Sequence, residues 1–162
     1  MNKGKPGPGQ ESVWDYPRPP RLEKVDKHLR VEFGGQVVAE TTAAYRVLET
    51  SHPPTYYFPP EDVRTDFLLP AKGSSICEWK GAASYFDVKV GDRMASRAVW
   101  TYLKPKALFV TIAGYFCFYP SKMDVCSVNG EEVSPQEGDF YGGWITKDII
   151  GPFKGGAGTR GW

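Results

Sequence analysis

Short runs of alternating apolar and polar residues, separated by Gly and Pro, organise this chain. Leu29, Val31 and Phe33 alternate with Arg30 and Glu32, Gly34-Gly35 follows, and residues 36–39 resume a β-type run. Both glycines can take positive φ, so this pattern predicts a tight hairpin. Residues 43–49 predict a strand, broken by His52-Pro53-Pro54, and Thr55–Phe58 a short aromatic strand. Pro59-Pro60-Glu61-Asp62 predicts a turn or one helical turn with proline at its start. Residues 75–79 predict a further strand. Ser84, Phe86, Val88 and Val90 alternate with Tyr85, Asp87 and Lys89 up to Gly91-Asp92, and Ala98, Trp100 and Tyr102 carry the same period on the returning run. Residues 112–119 predict another strand, closed by Pro120, with residues 106–110 suited to a single helical turn. Val125–Val128 and residues 131–133 flank Asn129-Gly130, a type I′ turn signal.

No long segment has helical periodicity. Many short strands with regular Gly/Pro punctuation predict a mainly β, antiparallel barrel or sandwich. The two ends of the chain differ from this middle. Pro6, Pro8, Pro17, Pro19 and Pro20 lie in a polar, glycine-containing lead, which predicts a flexible, extended arm over residues 1–26. Trp14 and Tyr16 give that arm a means of docking. A core domain is expected over 27–135, then a Gly/Trp-rich extension over 136–162. Its apolar residues, Trp144, Ile145, Ile149, Ile150 and Phe153 among them, predict a tail laid across the domain.

Composition narrows the function classes. The 162 residues carry 20 Lys and Arg against 19 Asp and Glu, a net charge of +1. That balance argues against a broad nucleic-acid-binding face, which needs clustered cations. Mean hydropathy is negative. The most apolar segment, residues 107–119, is shorter than the ~20 residues a bilayer requires and reads as buried strand. The opening residues lack the apolar stretch of a secretory signal. The three cysteines, Cys77, Cys117 and Cys126, include no C-x-x-C pair, so neither a disulfide framework nor a four-cysteine zinc site is expected. Free thiols fit a reducing, cytoplasmic location.

Several motifs occur in a specific order: Arg46-Val47-Leu48-Glu49, Pro53-Pro54-x-Tyr56-Tyr57-Phe58-Pro59, Asp62-Val63, Cys77-x-x-Lys80-Gly81-x-Ala83-x-Tyr85 and Val99-Trp100-x-Tyr102. Over roughly residues 29–133 they resemble the bacterial family known as domain of unknown function 427. The resemblance implies a small β-tent fold, shared with methionine sulfoxide reductase B and yippee-like domains. Many β-tent proteins bind zinc through paired C-x-x-C motifs, which this chain lacks, so no metal and no cofactor is expected. The family also carries a label that suggests nucleotidyl transfer.

Candidate chemistry centres on these motifs. Lys80 near Cys77 would raise the thiolate fraction. The two lie three positions apart and converge only if the chain turns there, which Gly81 permits. Glu49 and Lys80 form a candidate polar pair inside the fold, and Arg46 and Asp62 are the other charged motif residues. Tyr57, Trp79, Tyr85, Trp100, Tyr102 and Tyr115 supply aromatic walls of the kind that line ligand pockets. His28 and His52 are isolated. Pro53 and Pro54 deny Glu49-x-x-His52 the helix on which that spacing would converge. Gly156-x-Gly158-x-x-Gly161 copies a dinucleotide fingerprint without the helix it needs. The expected function is binding of a small molecule in an aromatic pocket with a Glu49/Lys80 anchor, without nucleic acid or membrane. The alternatives are an enzyme, with thiol chemistry at Cys77 or nucleotidyl-type transfer, and an interaction module using the Pro-rich arm.

Overall fold

The computed structural model describes residues 5–77, 79–138, 141–156, 158–159 and 161–162. Its strands are β1 (Glu11–Ser12), β2 (Arg21–Lys24), β3 (Leu29–Phe33), β4 (Gln36–Thr41), β5 (Tyr45–Leu48), β6 (Thr55–Phe58), β7 (Leu68–Cys77), β8 (Gly81–Val90), β9 (Arg93–Thr101), β10 (Phe116–Phe118), β11 (Val125–Val128), β12 (Glu131–Glu132), β13 (Ser134–Pro135), β14 (Trp144–Ile145) and β15 (Ile149–Ile150). The architecture is mainly β and antiparallel, as the periodicity predicts. A seven-stranded sheet runs in the order β2-β5-β6-β10-β9-β8-β7, and a four-stranded sheet in the order β12-β11-β3-β4. Of the barrel or sandwich that the periodicity predicts, the sheets form no closed barrel and pack through a shared core as a sandwich does.

Local sequence sets the hairpins. Gly34 and Gly35 take φ of 60° and 78° between the Phe33–Gln36 pair, and Asn129 and Gly130 take 48° and 82° between Val128 and Glu131. Both are turns that need φ > 0 at two positions. Pro60–Asp62 forms a 3-10 turn whose first residue is proline. The helical turn expected at residues 106–110 is present as a 3-10 helix over Ala107–Ile112, the strand expected over 112–119 is confined to Phe116–Phe118, and the reading of all of 107–119 as buried strand is corrected. Apolar residues at 107–110, 112 and 113 fit either state, and the tertiary setting chooses helix, burying Phe109 and Ile112 while Leu108 and Val110 stay exposed. Position 78 of the strand expected at 75–79 lies outside the described residues. The strand observed there, β7, starts earlier and ends at Cys77.

The seven-stranded sheet is covered on both faces. One face meets the four-stranded sheet around Val31, Val38, Tyr56, Phe58, Val88, Val99 and Phe118. The other carries Val47, Tyr57, Ala83, Trp100, Tyr102 and Cys117 under Phe109 and Ile112. Alternation along β9 is interrupted. Its register against β8 jumps from Phe86–Val99 to Val88–Ala95, and Arg97 sits in the bulge with φ of 49°. Ala98 therefore joins the first core, whereas Trp100 and Tyr102 face the second. The single period expected through Ala98, Trp100 and Tyr102 fails because a bulge inserts residues and re-aims those beyond it.

Regular structure begins before residue 27. The segment expected to be a flexible arm contributes β2, which pairs with β5, and β1, which pairs in parallel with β15 of the tail. Arg46 secures it: its guanidinium pairs with Glu11 at 2.5 Å and with Glu23 at 2.7 Å. Val13 and Tyr16 pack with Leu48 and Ile149. In the tail, Trp144 is fully buried, contacts the rings of Tyr56 and Phe58, and donates its indole N–H to the Phe118 carbonyl at 3.0 Å. The tail thus supplies a core residue. Trp144→Ala is expected to lower unfolding free energy by about 3–5 kcal/mol in urea denaturation. A loss below about 1 kcal/mol, as for a surface position, would mean that Trp144 packs on the outside.

Candidate functional site

On the second face of the seven-stranded sheet, neighbouring strands align their side chains in a row. Tyr45 opposes Tyr57, Tyr57 opposes Cys117, Cys117 opposes Trp100, and Trp100 opposes Tyr85. At the β8 end of this row lies a cavity of about 620 Å³, within the range of small-molecule sites. Its walls include Trp79, Tyr85, Trp100, Tyr102, Tyr119 and Tyr141. Ser75, Ile76, Cys77, Thr55, Glu49, Lys80, Arg97 and Lys122 complete them.

Several wall residues have a local cause. Cys77 pairs with Gly81, whose φ of 106° closes the turn between β7 and β8, so Cys77, Trp79 and Lys80 all reach the cavity despite their odd spacing. Trp100 is fixed by its indole N–H, which donates to the Tyr57 hydroxyl at 3.2 Å, and by the Tyr119 ring at 4.7 Å. The Tyr85 hydroxyl is 2.7 Å from Ser75 Oγ. The β9 bulge is held by Asp87, whose carboxylate accepts the Arg97 backbone N–H at 2.8 Å. It turns the Arg97 guanidinium onto the Tyr85 ring, 4.1 Å from the centroid, where it also donates to the Lys72 carbonyl. Gly73 beside it is called for by its φ of 89°, since the far end of the arginine could shift away from a Cβ. At Gly142 a Cβ would lie 2.6 Å from the Trp100 indole, so glycine keeps the place of that ring open.

Of the residues singled out by sequence, Glu49, Cys77, Trp79, Lys80, Tyr85, Trp100 and Tyr102 are brought together in this wall. The other four lie elsewhere. Arg46 clamps the lead through Glu11 and Glu23. Tyr57 is buried behind the wall, with its hydroxyl on Trp100. Asp62 accepts the Thr41 hydroxyl at 2.7 Å and stabilises a turn. Tyr115 packs edge-on against Tyr45 at the far end of the row. Sequence reasoning missed Thr55, Ser75, Ile76, Arg97, Tyr119, Lys122 and Tyr141. Lys122 follows Pro120 and Tyr141 lies in the tail, so neither belongs to a strand period, whereas Thr55, Ser75, Ile76 and Tyr119 lie in expected strands whose local pattern does not report a cavity. Glu49 and Lys80 share the wall, but the carboxylate pairs with Arg18, at 3.7 Å, and Lys80 lies over the Tyr102 ring, 5.8 Å from its centroid.

Burial sets the ionisation here. It holds the phenols of Tyr57 and Tyr102 and the thiol of Cys117 well above their ordinary pKa values, so these groups stay neutral. Cys77 is half-buried and lines the cavity, unlike the buried Cys117 and Cys126. Among the described residues no three His, Cys, Asp or Glu side chains gather as a metal site.

His52 sits behind Glu49 with its ring 4.1 Å from that of Tyr141. The Gln136 amide fixes its tautomer. The amide oxygen accepts the Gly143 N–H and the amide nitrogen donates to the Lys154 carbonyl, so the contact at 3.3 Å is a donation to His52 Nδ1. The ring proton is then on Nε2, which is 3.9 Å from Glu49 Oε2. Burial, followed by the charges of Lys154, Arg18 and Lys80, lowers the His52 pKa from 6.5 to about 3. An unfolded chain protonates His52 below pH 6.5 while the folded chain keeps it neutral, so the unfolded state binds more protons between those values. Acidification through this window favours unfolding by up to about 1.4 kcal/mol per pH unit. His52→Gln is expected to remove about 1.6 kcal/mol of the stability lost between pH 6.5 and pH 5, read from urea midpoints at each pH. An identical pH slope in both proteins would show that folded His52 is already charged.

Among the described residues no helix is long and apolar enough to cross a membrane. A comparison with curated proteins finds no match. A comparison with protein families matches residues 21–129, from the start of β2 to the β11–β12 turn, to the family described as Domain of unknown function (DUF427). The matched region holds every strand of the seven-stranded sheet and all of the cavity wall named above except Tyr141. This chain belongs to that family.

Proposed function

We propose that this protein binds a small molecule in the aromatic cavity beside the β7–β8 turn. One observation carries the reading: six aromatic rings from separate stretches of chain surround one space of about 620 Å³ that also holds a few placed polar groups. Such a composition suits a planar ligand. Rings offer large contact area at small conformational cost, and the Glu49 carboxylate and the cations supply orientation. The wall is supported from behind by the Tyr57–Trp100 hydrogen bond, so the rings are set before a ligand arrives.

A second reading, thiol chemistry, is favoured by Cys77, which shares the wall with Lys80. Its alkylation rate against pH decides it: a midpoint at or above about 8.5 removes an activated thiolate. Nucleotidyl-type transfer draws no comparable support, because Glu49 is the one carboxylate among the described wall residues.

A screen of small ring compounds by thermal shift on the full chain tests the binding reading. Compounds that raise the melting temperature by about 2–4 °C at saturating concentration are expected to lose that effect in Trp79→Ala, a half-buried wall position outside the main core. Compounds that stabilise Trp79→Ala and the native chain equally would show that the cavity is not their site.

A further inference from the structure

The charges of this protein are balanced in number but not in place. Elsewhere some cations sit beside carboxylates, Arg21 with Glu23, Lys27 with Asp148, Arg30 with Glu32, Arg64 with Asp66 and Arg93 with Asp124, and those with no ion pair among the described residues, such as Lys24, Lys72, Lys89, Lys104 and Lys147, are exposed to water. Around the cavity the cations are drawn in. Lys80, Arg97 and Lys122 line it, each half-buried, and among the described residues none forms an ion pair. Each lies over a wall tyrosine instead: Lys80 over Tyr102 at 5.8 Å, Arg97 over Tyr85 at 4.1 Å and Lys122 over Tyr119 at 5.5 Å. Lys154, just outside, repeats the arrangement on Tyr141 at 5.4 Å. The wall carboxylate, Glu49, is occupied by Arg18.

A ring face holds a cation in position without neutralising it. Partly desolvated cations without counter-charges are costly in the empty protein, and an incoming anion removes that cost while gaining charge-assisted hydrogen bonds. Arg97 is the most constrained of the three. The bulge, the Asp87 carboxylate, the Lys72 carbonyl and the Tyr85 ring all fix it, leaving other guanidinium N–H groups to donate. Three cations in one wall suit a multiply charged oxyanion better than a single carboxylate. The rings interleaved with them suit a flat body attached to that oxyanion.

We infer that the ligand of this cavity is a planar ring bearing a phosphoryl group, the phosphoryl oxygens being met by Lys80, Arg97 and Lys122 and the ring by the aromatic walls. The inference rests on the small-molecule reading above and names its ligand class.

Isothermal titration of the full chain with three probes separates the two. 1-Naphthyl phosphate carries ring and dianion, 1-naphthol the ring without that charge, and inorganic phosphate the charge without the ring. Naphthyl phosphate is expected to bind at least about tenfold more tightly than either fragment. Lys80→Met and Lys122→Met should each weaken it about three- to tenfold and weaken naphthol much less, so that the ratio of the two affinities falls; unchanged urea midpoints show that the variants keep their fold. Naphthol binding as tightly as its phosphate, or naphthyl phosphate binding that ignores both lysines, overturns the phosphoryl assignment and leaves the aromatic cavity standing. Failure of both ring compounds to bind defeats the small-molecule reading and the inference with it.

Discussion

The structure depends on a sheet whose central strands are buried on both sides. β6, β10 and the last part of β9 must satisfy an apolar core on one face and a second cluster on the other, so apolar and aromatic side chains occur in both directions there. Tyr56 and Phe58 point to the first core and Tyr57 to the second. This two-sided burial is what a central strand in a covered sheet demands. Because the second face is filled by Tyr and Trp rather than by aliphatic residues, its polar atoms need partners, and the Tyr57–Trp100 hydrogen bond answers that need. The cavity opens where the cover ends: the 3-10 helix Ala107–Ile112 shields one part of the aromatic row and leaves the part around Tyr85 and Trp100 accessible.

Charge follows from the same arrangement. A bulge in β9 breaks the alternation that would have kept Arg97 in register, and Asp87 fixes the bulge through a backbone N–H. The carboxylate is thereby engaged with backbone, and the guanidinium lies on a ring without an ion-pair partner among the described residues. Lys80 and Lys122 reach the cavity by other routes, one through the β7–β8 turn and the other just after Pro120. All three line one cavity, with Glu49 the carboxylate beside them, on a chain that is close to neutral overall.

The two ends of the chain support this centre. The lead is tied by the Arg46 pairs with Glu11 and Glu23, and Arg18 within it reaches Glu49 in the cavity wall. The tail inserts Trp144 into the main core and places Tyr141 and Gln136 around His52. Neutral His52 thus stands between the wall carboxylate and the tail, with its tautomer set by an amide whose own orientation is fixed twice over.

Many of the strands and turns were legible in the sequence because they are written in local rules. Gly34-Gly35 and Asn129-Gly130 specify turns through φ > 0, and period-two runs specify strands with one face buried. Seven of the wall residues were legible as well, because they fall in motifs or strand periods. Local rules do not report which strand lies beside which, so they could not tell Tyr57 behind the wall from Trp100 within it, or Arg46 on the lead from Lys80 at the turn. Residues 107–119 show the same limit: apolar content admits helix or strand, and packing over Phe109 and Ile112 decided. The alternation of side chains and the positions of the turns were determined by the sequence itself, since neighbouring residues enforce both. The cavity, and the placing of three cations on tyrosine faces, belong to the tertiary structure, because they depend on a bulge and on a wall assembled from residues as far apart in the chain as Glu49 and Tyr141.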